Sequence, residues 1–276
     1  MNIRVKTMAE WFSENKEPEI LFWVGSAGSF DDRAKKITRS FVKIMNLANV
    51  DFGVLGEEES ASGDVAKRAG NEFLFQMQAL MNIQTLDNYR VKRIVTTCPH
   101  DYNTLKNEYK DLGGSYEVLH HTEFIYELIN NSRLVFTNNN TKESSITYHD
   151  PCYLGRGNEV YDIPRKLLKK VGYKLTEMPR TRNKSFCCGA GGAQMFKEPE
   201  KGNEDININR TTEALKTLNV DDKFQGSKNK VIVTACPFCN TMMTDGVKNK
   251  NQEHNVRVLD IVEIISEVKE INLDNV

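Results

Sequence analysis

No run in this sequence is apolar for the roughly 20 residues that crossing a bilayer requires, so no membrane span is expected. Neither sign of charge is in excess: 37 basic and 38 acidic side chains leave a formal net charge of −1. That balance gives nucleic acid or an anionic membrane no electrostatic hold, and neither is expected as a direct partner. The opening residues Met1-Asn2-Ile3-Arg4-Val5-Lys6 lack an apolar leader. A cytoplasmic protein is therefore expected, reaching a membrane only peripherally through a partner. Cysteine is sparse, with six in 276 residues. In a reducing compartment such thiols read as metal ligands or catalytic groups before they read as disulfides.

What is present is the composition of a folded protein, 39% hydrophobic and 27% charged. Short β-rich runs alternate with amphipathic helical stretches. The first half predicts strands at Ile20–Gly25, Val50–Leu55, Arg93–Thr97 and Tyr116–His121. Between them fall a helix opened by Asp31-Asp32 and running through Leu47, and a long one from Asp64 to about Met81. The second half predicts strands at Ser145–His149, Tyr173–Met178, Val231–Ala235 and Val256–Leu259. Such alternation implies an α/β fold, parallel sheets flanked by helices. The polar tract Asn131–Ser144, with Asn138-Asn139-Asn140-Thr141, reads as a linker, giving subdomains of 1–135 and 144–276. Lys197–Asp205 and Asp221–Lys230 read as surface loops.

The halves look like copies of each other. IVTTCPHDYNT around Cys98 matches IVTACPFCNTM around Cys236, and the strand leading to Ser26 matches the one leading to Cys152. In this alignment Ser26 faces Cys152, Ser60-Ala61 face Cys187-Cys188, and Asp101 faces Cys239. Two tandem Rossmann-like subdomains from an internal duplication are expected, the first with a degenerate cysteine motif and the second with a complete one.

Cys152, Cys187, Cys188, Cys236 and Cys239 all fall where inferred strands end, the side on which parallel sheets bind ligands. Pro237 suits a first helical position, so Cys236 and Cys239 open a helix whose N-terminus favours thiolate. Gly189-Ala190-Gly191-Gly192 lets the neighbouring Cys187 and Cys188 face one centre and brings backbone N–H groups to their sulfurs. Five thiolates overload a single divalent ion, whereas clustered iron distributes them, which favours iron–sulfur over zinc.

Read across these cysteines, C-x34-CCG-x46-CxxC resembles the CCG (cysteine-rich) domain family. That family includes the B component of heterodisulfide reductase, the iron–sulfur subunit of glycolate oxidase and the lactate-utilisation iron–sulfur proteins. The likeness extends through WVGSAGSFDDRAKK, EEESASGD, RAGNEFLFQM, TYHDPCYLGR and FCCGAGGAQM. The resemblance implies a [4Fe–4S]-type cluster on the five cysteines. It also implies electron transfer to or from a flavoprotein or other iron–sulfur subunit, within an oxidoreductase complex of the 2-hydroxy-acid oxidase or heterodisulfide reductase type. Family members often carry cysteines where this chain has Ser26, Ala61 and Asp101, so one cluster is expected rather than two. The interval from Cys188 to Cys236 is long for the family, and an insertion at Asp221–Lys230 accounts for it.

Other readings stand beside this one. Zinc on four of the thiols would make a structural scaffold subunit without redox activity. Cys236 and Cys239 alone match a redox dithiol, which leaves Cys152, Cys187 and Cys188 unexplained. Cys98 alone reads as a small buried hydrophobe. His120-His121 read as packing, or as proton carriers. His149 and Asp150 read as a turn, or as supports of the cysteine loop. Arg180, Arg182 and Lys184 read as a solvated loop, or as cations lowering the thiol pKa. Met195 and Phe196 read as core.

Overall fold

Strand β2 (Ile20–Trp23) is apolar at every position, and each of its four residues is buried to 1% exposure or less. A strand without alternation belongs at the centre of a parallel sheet covered on both faces. In a computed structural model, which describes residues 5–136, 144–198, 202–220, 229–268 and 271–272, that is its place. The chain forms two units, one within Met1–Val135 and the other within Phe136–Ile271.

In the first unit β1 (Lys6–Thr7), β2, β3 (Phe52–Val54), β4 (Arg93–Thr96) and β5 (Glu117–His120) form one parallel sheet in the order β1-β3-β2-β4-β5. The helix Ala34–Leu47 covers it with Ile37, Phe41 and Ile44, spaced at helical period. Asp31, read as its start, accepts the Ala34 N–H at 2.7 Å. The single helix expected from Asp64 is two, Asp64–Arg68 and Glu72–Asn88. Gly70, at φ +85°, cannot continue a right-handed helix, and Asn71 restarts the chain by accepting the Leu74 N–H at 3.1 Å.

In the second unit β6 (Ser145–Tyr148), β7 (Lys230–Thr234) and β8 (Val256–Asp260) are parallel neighbours in that order. The strand expected at Tyr173–Met178 is reduced to one parallel bridge between Ile146 and Leu175. Lys174, Thr176 and Glu177 are exposed there, so the segment has a neighbour on one side only. The linker residues Asn138–Thr141 and most of the Asp221–Lys230 insertion lie outside the described residues.

Both sheets have one register. Leu21 faces Ile94 as Thr147 faces Ile232, and Thr96 faces His120 as Thr234 faces Asp260. The capping boxes correspond too: Glu123 accepts the His120 N–H at 3.0 Å, and Glu263 accepts the Asp260 N–H at 2.9 Å. The duplication is therefore structural. It also moves the sequence alignment by one residue, because Gly63 and Gly189 share φ +90°. Ala61-Ser62, not Ser60-Ala61, stand opposite Cys187-Cys188.

Candidate metal centre

Each sulfur of the second unit arrives by a local device of its own segment. Cys152 lies in the turn beyond β6. Cys236 is the N-cap of the helix Pro237–Asn249, with proline in its first turn, and Cys239 follows within that turn. Cys187 and Cys188 sit on an irregular loop closed by Gly189. The five meet. Cys188 Sγ and Cys239 Sγ lie 3.3 Å apart, and the Cys239 N–H donates to Cys236 Sγ at 3.4 Å. The Gly189 N–H donates to Cys187 Sγ at 3.3 Å, and Cys187 also exchanges hydrogen bonds with the Cys152 and Cys188 thiols. Cys188, Cys236 and Cys239 are buried, Cys152 and Cys187 half-buried, and all are free thiols. Met195, Phe238 and Met242 line the apolar side. Among the described residues, His149, Cys188 and Cys239 form a group that can hold a metal ion, their ligand atoms within 4.8 Å of one another.

The protons on these sulfurs are distributed unevenly. Hydrogen bonds from the Cys152 and Cys188 thiols pull Cys187 far below the ordinary thiol range, and the Gly189 N–H adds to this. The bond to Cys187 pushes Cys152 and Cys188 up, and Cys239 is raised first by its bond with Cys188. Among these sulfurs Cys187 is the one favoured as thiolate. A bound cation would displace the remaining protons.

Charged side chains brace the pocket without entering it. Asp150, beside His149, takes a two-pronged ion pair from Arg165 at 2.8 Å on each oxygen, and also accepts the Arg182 N–H at 2.8 Å. Arg156, in the turn after Cys152, donates to Ser185 Oγ at 3.0 Å and so ties that turn to the loop of Cys187. Of the basic residues ahead of the cysteine pair, Arg180 and Arg182 serve carboxylates, and Lys184 is exposed. Arg180 pairs with Glu213 and lies over the Phe186 ring, and Arg182 pairs with Asp162. Phe196, read as core, is 64% exposed with its ring edge toward Phe238. Arg156, Arg165 and Arg210 carry no signal of this role in sequence, because the contacts that tie them to Ser185, Asp150 and His149 span 29, 15 and 61 residues.

The corresponding place in the first unit is closed by a different bond. Ser62 Oγ donates to Asp101 Oδ1 at 2.5 Å, where Cys188 meets Cys239 in the other copy. Cys98 is buried in the Cys236 position, while Ser26 and Ala61 are exposed. Burial pushes Asp101 up to about 6. The neighbouring Glu59 accepts the Val24 and Gly25 N–H groups at 3.0 and 2.6 Å and is pushed up by burial to about 7.

The fold and site define a class: duplicated parallel α/β proteins with a thiol-lined pocket at the carboxyl ends of the strands of one copy. The chain belongs to the CCG family, whose cysteine-rich domain matches residues 20–106 and again 146–244. It is 47% identical over 264 residues to the "Probable iron-sulfur-binding oxidoreductase FadF" of Bacillus subtilis, covering 95% of this chain and 36% of that protein. It is 42% identical over 258 residues to the EtfAB:quinone oxidoreductase of Syntrophomonas wolfei, covering 91% and 34%. The D component of the dihydromethanophenazine:CoB--CoM heterodisulfide reductase of Methanosarcina barkeri is 29% identical over 256 residues, covering 90% and 58%. The chain spans about a third of the length of the first two relatives. Among the described residues, no helix is long and apolar enough to cross a membrane.

The donors fit an anionic iron–sulfur group. Five sulfurs exceed the four that tetrahedral zinc takes. Two backbone N–H groups already point at Cys187 and Cys236. Two buried N–H groups, at His149 Nε2 and Arg210 Nη2, lack an acceptor among the described residues.

Proposed function

We propose that the second copy, taken as 144–276, holds a [4Fe–4S]-type cluster on Cys152, Cys187, Cys188, Cys236 and Cys239, and that the chain carries electrons through it. The first copy, taken as 1–135, is a scaffold in which Ser62 and Asp101 have replaced the sulfurs. The cluster supplies a one-electron couple. The chain supplies the thiolates, the N–H groups that offset their charge, and the apolar wall of Met195, Phe238 and Met242 that limits water. The observation carrying this reading is the meeting of five sulfurs from three separate segments.

The partner is a flavoprotein or another iron–sulfur subunit within an oxidoreductase complex, in the cytoplasm or peripheral to a membrane through that partner. The Syntrophomonas relative, by its name, works between EtfAB and quinone, which supports a redox partner of this kind. A potentiometric titration followed by EPR tests the role. A reversible one-electron signal is expected, and silence at every poise contradicts electron transfer. A second reading, a single zinc ion in a structural scaffold, draws on the group of His149, Cys188 and Cys239. It requires colourless protein containing zinc and no sulfide.

A further inference from the structure

His149 stands next to the thiols but is already engaged. Its Nδ1 lies 3.0 Å from Arg210 Nε. A guanidinium Nε–H can only donate, so Nδ1 must be the acceptor and the imidazole proton must sit on Nε2. Arg210 cannot turn away easily. It is fully buried, and its Nη1 is held by the Arg180 carbonyl at 2.8 Å and by Glu213 Oε2 at 2.9 Å. The Nε2–H is buried and meets no acceptor among the described residues. Leaving a buried donor unmet forfeits its hydration without return, so its placement calls for an acceptor.

To bind a metal through Nε2, the ring would have to become an imidazolate or abandon Arg210 and leave a buried guanidinium N–H unpaired. The duplicated copy bears on the same choice. Trp23 occupies the equivalent strand position, three residues ahead of Ser26 as His149 is three ahead of Cys152, and it too is fully buried. Indole nitrogen only donates, and the Trp23 Nε1–H likewise has no acceptor among the described residues. At this position the fold presents a ring N–H in both copies.

We infer that His149 is a positioning residue, fixed by Arg210 as the Nε2–H tautomer, that donates a hydrogen bond to a sulfur of the cluster and raises its reduction potential without ligating iron. The sign follows from charge. Reduction adds an electron to an already anionic group, and an N–H directed at sulfur stabilises the more negative state. This inference rests on the cluster reading above.

The test is pulsed EPR of anaerobically reconstituted full chain labelled with 15N-histidine, with iron and acid-labile sulfide assayed in the same sample. A weak histidine nitrogen coupling is expected. A coupling as strong as that of a directly bound imidazole overturns the inference, as does no histidine coupling at all, and in both cases full iron and sulfide leave the cluster reading intact. Absence of iron and sulfide overturns both. Potentiometry of two variants adds a readout that a merely structural role would not move. H149L removes the donor and is expected to shift the reduced-to-oxidised ratio at the wild-type midpoint about tenfold toward oxidised, a fall of about 59 mV for one electron. H149Q returns an N–H near the place of Nε2 and is expected to recover most of that ratio. Equal potentials in H149L and wild type, or equal shifts in H149L and H149Q, overturn the inference. Should neither variant fold, the wild-type nitrogen coupling decides the matter.

Discussion

Replacing Asp101 with asparagine should change how the first unit responds to pH. Asp101 is buried among Ser62, Asp64, His100 and Cys98, and burial dominates in raising its carboxyl from 3.8 to about 6. The Asp64 charge raises it further, while the Ser62 hydrogen bond, His100 and Cys98 act the other way. At roughly 1.4 kcal/mol per pH unit, that rise corresponds to about 3 kcal/mol. The sign is fixed by which state holds the proton. Below pH 4 the folded and unfolded chains are both protonated and nothing is lost. Between about 4 and 6 the unfolded chain releases its proton while the folded one keeps it, so stability falls as pH rises, and it levels off above. Glu59, raised to about 7 by burial, adds a fall in the same direction. The amide introduced by D101N would stay neutral throughout while its oxygen still accepts from Ser62. The unfolding free energy of wild type minus that of D101N should therefore drop by about 3 kcal/mol between pH 4 and pH 7. Both tryptophans of the chain, Trp11 and Trp23, lie in the first unit, so urea unfolding followed by tryptophan fluorescence reads this unit alone. A difference that is flat, or that rises with pH, would refute the burial of Asp101 as a carboxyl.

In the second unit, D150N should cost about 1–3 kcal/mol in urea unfolding followed by far-UV circular dichroism, because it removes the buried anion facing Arg165 and leaves that cation only the more exposed Glu177. G246A should cost about 1–3 kcal/mol in the same assay, since a methyl group there collides with Thr211 Oγ1 where the helices Ile206–Thr217 and Pro237–Asn249 touch. In reconstituted protein, C98S should leave the iron content unchanged while C239S lowers it. Equal losses from both would count against assigning the metal to the second copy.

The α/β class and the duplication are readable in the sequence because apolar runs such as Ile20–Trp23 and Val231–Thr234 stand apart from helical stretches of period 3.6. The strand at Tyr173–Met178 is misjudged because local pattern does not reveal how many neighbours a segment will have. The helix break at Gly70 and the one-residue shift to Ala61-Ser62 both depend on a glycine with positive φ, which composition does not specify. Within the candidate site, the spacing of the five cysteines makes them stand out. The Arg210–His149 contact does not, because it joins residues 61 apart and depends on where the helix Ile206–Thr217 places Arg210 in the fold. Met195 and Phe196, both read as core, are half-buried and exposed for a related reason, since neighbouring apolar residues read as core unless the local turn is known.

Iron and acid-labile sulfide, counted per chain in anaerobically reconstituted protein, test the central claim most directly. About four of each, in brown protein, is the result expected of one [4Fe–4S]-type group on five thiolates. One zinc per chain with no sulfide would contradict it.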